Sequence, residues 1–276
     1  MMSNLLTRFA AETGPVVHIT PLEVFKISGY SVTNSMFYAW LSTLFILLLS
    51  VTVARMVRIK KPRRGIIQLF EAGTDFITNM ISSAMGSREK GIKYAPYFVT
   101  MFFFIMLSNW LGLMPGVGEA ITVNDTPLLR PFTADINGTL AVAVVSMFFV
   151  QLFSIRESGF LPHLRHYFNG SLKNPMTWFL GLFEILGEFT RIGSLALRLF
   201  LNVAIGEIII AVFAYLGSNA AFLTSLPFVI LEVLVGALQA YIFVMLSVMY
   251  LAVAVKHHEQ HDAEDHAGPS AVTAGA

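Results

Sequence analysis

Residues 176–216 read MTWFLGLFEILGEFTRIGSLALRLFLNVAIGEIIIAVFAYL, and residues 220–255 follow with AAFLTSLPFVILEVLVGALQAYIFVMLSVMYLAVAV. A membrane-spanning helix needs roughly 20 apolar residues, and each stretch has far more. At 1.5 Å per residue the first makes a helix of about 60 Å, against a hydrocarbon core of about 30 Å. Such a helix tilts steeply or runs partly along the membrane plane. Asn174-Pro175 before it supplies an N-cap and a proline at the first helical position. Gly217-Ser218-Asn219 joins the stretches, so the two helices pack antiparallel as a long, strongly tilted hairpin.

Three further apolar runs lie upstream, at residues 36–54, 97–114 and 140–153. Together they predict an all-α polytopic membrane protein of about five spans, with residues 1–276 forming one membrane domain. Composition agrees: 55% of residues are hydrophobic and 13% charged, where a soluble domain carries about 25% charged residues. The mean hydropathy is +0.69. A soluble enzyme, a nucleic-acid binder and a disordered chain are excluded, because none can cover a water-exposed surface with so few polar groups. The chain has no Cys, which removes disulfides, thiolate metal sites and Cys nucleophiles.

The segments between the runs set orientation. Residues 55–93 begin with Arg55, Arg58, Lys60, Lys61, Arg63 and Arg64, then place Ile66, Ile67, Leu69, Phe70, Phe76, Ile77, Met80 and Ile81 at helical spacing opposite Glu71, Asp75 and Asn79. That pattern predicts an amphipathic helix on the membrane surface or on a partner. With five spans, this segment, residues 155–175 and the tail share one side and carry 13 Lys and Arg, against 3 on the other side. The basic side is the inside, so the N-terminal segment 1–34 faces outside and the tail inside. Residues 1–34 lack the pattern of a cleaved signal peptide, and Ile19-Thr20-Pro21-Leu22-Glu23 reads as the start of a short interfacial helix. The tail 256–276 is expected to be disordered. Its His257, His258, His261 and His266 have nothing to pack them into a metal site, and no cofactor is expected.

Ionisable residues at bilayer depth are expensive and face a cavity, a partner or each other. The hairpin carries Glu184, Glu188, Arg191, Arg198, Asn202 and Glu207 on its first helix, and Glu232 and Gln239 on its second. Glu188 and Arg191 are three apart and read as a structural ion pair. Arg198 has no acid three or four residues away, so its counter-charge comes from elsewhere, with another chain one source. In an antiparallel hairpin, one register brings Arg198 and Asn202 level with Gln239, and Glu207 level with Glu232. Two carboxylates at one depth share a proton or line water. Small residues, among them Gly193, Ser194, Ala196, Ala204 and Gly206, permit close helix contact.

The run Ser194-Leu-Ala-Leu-Arg198-Leu-Phe-Leu-Asn202-Val-Ala-Ile-Gly206-Glu207, with Leu238-Gln239-Ala240-Tyr241-Ile-Phe243, resembles the core of subunit a of the F-type ATP synthases. Ser108-Asn109-Trp-Leu-Gly112-Leu-Met-Pro115-Gly116 is similar to that family's second-span motif. The resemblance implies a proton-translocating stator subunit in the bacterial inner membrane, beside a ring of c subunits and held by b-type peripheral stalk subunits, with no catalytic residues of its own. It implies that Arg198 faces the ring carboxylates, with Ser194, Asn202 and Gln239 close to it, and that Glu207 and Glu232 line an outer half-channel. Many relatives carry His where this chain has Glu232, so the relay there differs in detail. The alternative is a secondary transporter using the same Arg and Glu for an anionic solute, which the missing internal repeat disfavours. An intramembrane hydrolase lacks both a zinc-binding His-Glu-x-x-His and a Gly-x-Ser-x-Gly elbow.

Overall fold

The computed structural model describes residues 21–27, 30–58, 65–114, 117–123, 126–159, 175–217 and 220–266. In chain order these form strands β1 (Glu23–Ile27) and β2 (Tyr30–Thr33), helices α1 (Asn34–Arg58), α2 (Ile66–Met85) and α3 (Arg88–Gly112), strands β3 (Gly118–Val123) and β4 (Thr126–Leu129), a single 3-10 turn (Phe132–Ala134), and helices α4 (Ile136–Ser158), α5 (Pro175–Gly217) and α6 (Ala221–His266). Among the described residues five helices are long and apolar enough to cross a membrane: α1, α3, α4, and the 181–217 and 221–253 portions of α5 and α6. The all-α polytopic architecture read from composition therefore holds. Both hairpin helices are over-long as expected, with 43 residues in α5 and 46 in α6.

Two expectations need correction. The segment after Pro21 is not helical: Glu23–Ile27 is a strand paired antiparallel with Tyr30–Thr33. Val24, Phe25 and Ile27, then Tyr30, Val32 and Thr33, are β-branched or aromatic, and they outweigh the one-residue proline signal. Thr20, the proposed cap, lies outside the described residues. The tail is also not disordered from Lys256, because α6 continues to His266. The stretch Lys256 to His266 contains no Gly or Pro, so nothing stops the helix before Gly268-Pro269. Residues 267–276 lie outside the described residues.

The chain divides into two compact units, and α3, α4, α5 and α6 each contribute to both. The first contains residues 1–59, 103–139 and 197–240. Its organising residue is Asn34, fully buried at the start of α1. The Asn34 Oδ1 accepts from the Leu22 N–H at 3.2 Å and the Ser35 N–H at 2.9 Å, and its Nδ2 donates to the Pro127 carbonyl at 3.0 Å. Thr33 Oγ1 caps the helix by accepting from the Met36 N–H at 3.3 Å. Next to it, Ser35 Oγ donates to Asp135 Oδ2 at 2.6 Å, and Tyr38 OH donates to the Leu111 carbonyl at 2.7 Å. One buried turn of α1 thus ties the β1–β2 hairpin, the β3–β4 hairpin, the 3-10 turn and the end of α3 together.

The second unit contains residues 60–102, 140–196 and 241–276. Helix α2 is amphipathic in its second half, where Ile77, Ile81 and Met85 are buried and Thr74, Asp75 and Asn79 are exposed, but Leu69 and Phe76 of the expected apolar stripe are exposed as well. It starts after Gly65 and stops at Gly86, whose φ of 66° is the left-handed conformation that ends helices. Gly91 of α3 lies so close to α2 that an added Cβ would sit 2.0 Å from Ser82 Oγ. Lys93 and Tyr94 of α3 both donate to Glu157 of α4. Ser146 of α4 and Ser247 of α6 share a hydrogen bond of 3.2 Å, and Phe76 of α2 meets Tyr241 of α6 with ring centroids 5.5 Å apart.

Replacing Asn34 by Ala leaves the part-buried Leu22 N–H and the buried Pro127 carbonyl without their side-chain partner, at a cost of about 1–3 kcal/mol for the buried group. The expected outcome is a fall of several degrees in the apparent Tm in detergent, read by thermal unfolding. An unchanged Tm would show that the Asn34 clamp contributes nothing.

Candidate functional site

The hairpin register follows from contacts within the first unit. Phe213 of α5 stacks on Phe228 of α6 with centroids 3.9 Å apart. Thr224 Oγ1 donates to the Phe213 carbonyl at 2.8 Å. Gly206 faces Glu232, where a Cβ built on the glycine would lie 2.3 Å from the carboxyl carbon. These pairs continue one antiparallel register, the one that sets Glu207 level with Glu232. Glu207 follows Gly206 directly, so the same register sets it at the level of Glu232.

Glu232 and Gln239 are buried, 7% and 6% exposed, on the same face of α6. Asn109 of α3 donates through Nδ2 to the Gly236 carbonyl at 3.3 Å, and Trp110 Nε1 donates to the Val233 carbonyl at 2.9 Å. Gly236 permits this approach, since a Cβ there would meet the Asn109 Cβ at 3.2 Å. Several buried polar atoms of this unit keep unused hydrogen-bonding capacity: Ser108 Oγ, Asn109 Oδ1, Thr133 Oγ1, Asn202 Nδ2 and Gln239 Nε2 have no partner among the described residues. Buried polar groups are normally paired with protein or water.

Arg198 stands apart from this buried layer. It is exposed on α5 beside Leu197, Leu201 and Ile205, which are exposed too. Among the described residues it forms no hydrogen bond and no ion pair. Ser194, one turn earlier, is also exposed. By contrast Arg191 is ion-paired with Glu188, as its spacing predicts, and its guanidinium lies 4.8 Å from the Tyr250 ring centre. One arginine of α5 is satisfied inside the chain, and the other presents its charge outward from an apolar surface.

Arg130 escaped the reading of the sequence, where it counted only as one outside charge. It is buried, 7% exposed, and its Nη2 donates to the Ala134 carbonyl at 2.9 Å. Burial pushes this guanidinium down from its ordinary pKa, and the charges of Glu207 and Asp135 push it back up. Nothing in Leu128-Leu129-Arg130-Pro131 announces this burial, because it depends on long-range packing around the turn. Among the described residues no cluster of three or more His, Asp or Glu is placed to hold a metal ion.

The family model for the ATP synthase A chain matches residues 36–252. The chain belongs to the ATP synthase A chain family. The "ATP synthase subunit a 2" of Chlorobaculum tepidum is 31% identical, over 93% of this chain and 72% of its own length. The "ATP synthase subunit a" of Trichlorobacter lovleyi is 32% identical over 79% and 85% of the two chains, and that of Myxococcus xanthus 30% identical over 87% and 79%. Membership makes the chain a multi-pass membrane component of a rotary ATP synthase with the proton-translocating stator role. It also sets aside the secondary transporter.

The tight approach of Gly206 to Glu232 generates a test that separates function from folding. Ala has the higher helix propensity, by about 1 kcal/mol, and the atoms in its way belong to the movable end of Glu232. Gly206→Ala therefore leaves the complex assembled but displaces the Glu232 carboxyl. Proton conduction through the membrane sector should fall about tenfold or more, on the scale of misplacing a proton-transfer group. Unaltered conduction would mean that the position of this carboxyl is immaterial.

Proposed function

We propose that this chain carries protons through two offset half-channels that meet at Arg198, exchanging them with carboxylates on an adjacent ring of c subunits. The observation that carries this reading is an arginine exposed on an apolar span with no ion-pair partner among the described residues. Within a bilayer such a charge needs a counter-charge, and on an outward face another subunit supplies it. Arg suits the position because it stays protonated where a desolvated Lys loses its proton.

In this reading, protons enter from the outside at the Glu207–Glu232 layer, near the α5–α6 turn. Two carboxylates facing each other do not both ionise readily, so the pair takes up and passes on a single proton. Asn202, Gln239 and the buried amide of Asn109 offer donors and acceptors for water on the way to the ring. After the ring carboxylate has travelled around, it releases its proton toward the inside. Arg198 then stabilises the ionised carboxylate and blocks a direct leak between the two channels. Ser194, one turn from Arg198, extends the polar strip along the exposed helix face. The chain itself catalyses no bond-making step; ATP chemistry belongs to other subunits.

The basic residues of residues 55–93 and 155–175 place those segments inside and the N-terminus outside, in a bacterial inner membrane. Helix α2, with its polar stripe of Asp75 and Asn79 exposed, lies on that inner side and suits a b-type stalk subunit.

Arg198→Ala in the intact complex should abolish ATP-driven proton pumping in inverted membrane vesicles while the subunits still co-purify. Normal pumping by that variant would sink the proposal. Glu207→Gln keeps shape but removes the proton site, and should lower pumping by about a hundredfold, within the range for a lost proton-transfer group. Fluorescence quenching of a pH-sensitive dye reads both.

A further inference from the structure

The end of α3 holds α6 by two directed bonds. Trp110 Nε1 donates to the Val233 carbonyl at 2.9 Å, and Asn109 Nδ2 donates to the Gly236 carbonyl at 3.3 Å. Both carbonyls lie inside one continuous helix, and a carbonyl oxygen has a second lone pair for a donor beyond the helical one. Consecutive residues of α3 thus grip two carbonyls within one turn of α6. This end of α3 is itself held. The Leu111 carbonyl accepts from Tyr38 of α1 at 2.7 Å, and a Cβ on Gly112 would lie 2.8 Å from Pro131 Cγ. A grip applied from a fixed helix end leaves α6 little play.

Gly236 lies in the middle of the stripe that carries the polar groups of α6. Glu232 is four residues before it and Gln239 three after, so the three share one side of the helix, and all three are buried. The missing side chain lets α3 come close, since a Cβ on Gly236 would meet the Asn109 Cβ at 3.2 Å. The Phe213–Phe228 stack and the Thr224 bond set how far α6 lies along α5. Rotation about the helix axis is a separate freedom, and apolar contact resists it weakly because it is non-directional. Turning α6 by one residue, about 100°, would carry Glu232 out of the gap at Gly206. Asn109 is 3% exposed, and its Oδ1 has no partner among the described residues. That unpaired acceptor offsets what the single bond contributes, so the amide adds direction more than stability.

We propose that Asn109 and Trp110 are positioning residues of the outer half-channel: their bonds to the Gly236 and Val233 carbonyls fix the rotation of α6 and so keep the Glu232 carboxyl seated against Gly206, level with Glu207. This rests on the half-channel reading above. Without the bonds α6 turns within its apolar contacts, and the carboxyl leaves its place while the complex stays assembled. A merely structural pair would lower stability and leave conduction per assembled complex untouched.

The test measures proton conduction per assembled complex in vesicles, at a temperature well below every variant's apparent Tm. Trp110→Phe keeps an aromatic ring and removes the N–H, and the indole has no other part in the proton route. Conduction per complex should fall about tenfold, as displacement of a proton-transfer group makes it. Asn34→Ala, which loosens the same unit away from α6, should keep wild-type conduction per complex. Gly206→Ala displaces the same carboxyl, so its combination with Trp110→Phe should lose well short of the product of the two single losses. Unchanged conduction in Trp110→Phe, an equal loss in Asn34→Ala, or losses that multiply in full overturn the inference. Should Trp110→Phe fail to assemble, Gly236→Ala serves instead. Its methyl group pushes Asn109 away from the α6 side and should lower conduction about threefold or more, and unchanged conduction overturns the inference. Glu232→Gln is the control on the half-channel reading. Full conduction in that variant refutes the reading itself, whereas lost conduction there with Trp110→Phe unimpaired refutes only the role of the α3 pair.

Discussion

A full positive charge on an apolar helix face is the constraint around which the rest of the molecule is arranged. Water solvates an exposed arginine at little cost, but hydrocarbon does not, and the penalty at bilayer depth is several kcal/mol on any scale. Along α5 the chain resolves this cost in two different ways. Arg191 is neutralised locally by Glu188 and lies over the Tyr250 ring, so it belongs to the scaffold. Arg198 is left exposed among Leu197, Leu201 and Ile205, so its neutralisation is delegated to whatever covers that face. The same residue type in the same helix thus meets two different surroundings, and what separates them is an ion-pair partner among the described residues.

The second constraint is the depth at which carboxylates meet. Glu232 is buried against a glycine, and the gap at Gly206 is just large enough for its carboxyl group. Any larger residue on α5 would push that group away from Glu207. Because the register is also fixed by the Phe213–Phe228 stack and the Thr224 hydrogen bond, the pairing of the two acids is a consequence of apolar packing closer to the turn. Packing sets the geometry, and geometry sets whether two acids behave as one proton site.

Much of this was legible before any coordinates. The spans follow from unbroken apolar runs, the tilt from their excess length, and the Glu207–Glu232 layer from counting along an antiparallel hairpin. These are local or periodic signals, and sequence carries such signals well. The β1–β2 hairpin was misread because Thr20-Pro21 is a strong local helix signal and the competing strand preference is spread over both strands. The helical continuation to His266 was misread because charge and histidine were weighed above helix propensity. Arg130 was invisible for a different reason. Its burial and its bond to the Ala134 carbonyl depend on how the whole turn packs, and no periodicity announces that. Asn109 was quoted within a motif, but its bond to the Gly236 carbonyl likewise needed three dimensions.

The exposed face of α5 also bears on how a stator can hold a moving neighbour. Between residues 197 and 217 the exposed positions are apolar or aromatic apart from Arg198. Apolar contact is non-directional, and within lipid it offers little net preference for one register over another. For the ring of c subunits proposed to move past it, such a surface offers no deep minimum until an ionised group comes opposite Arg198. Had α5 carried a ladder of hydrogen-bonding side chains on this face, each step would have required breaking several directional contacts at once. One fixed charge on an otherwise greasy helix gives a single point of recognition with low resistance everywhere else, which is what a face combining tight apposition with continual movement requires.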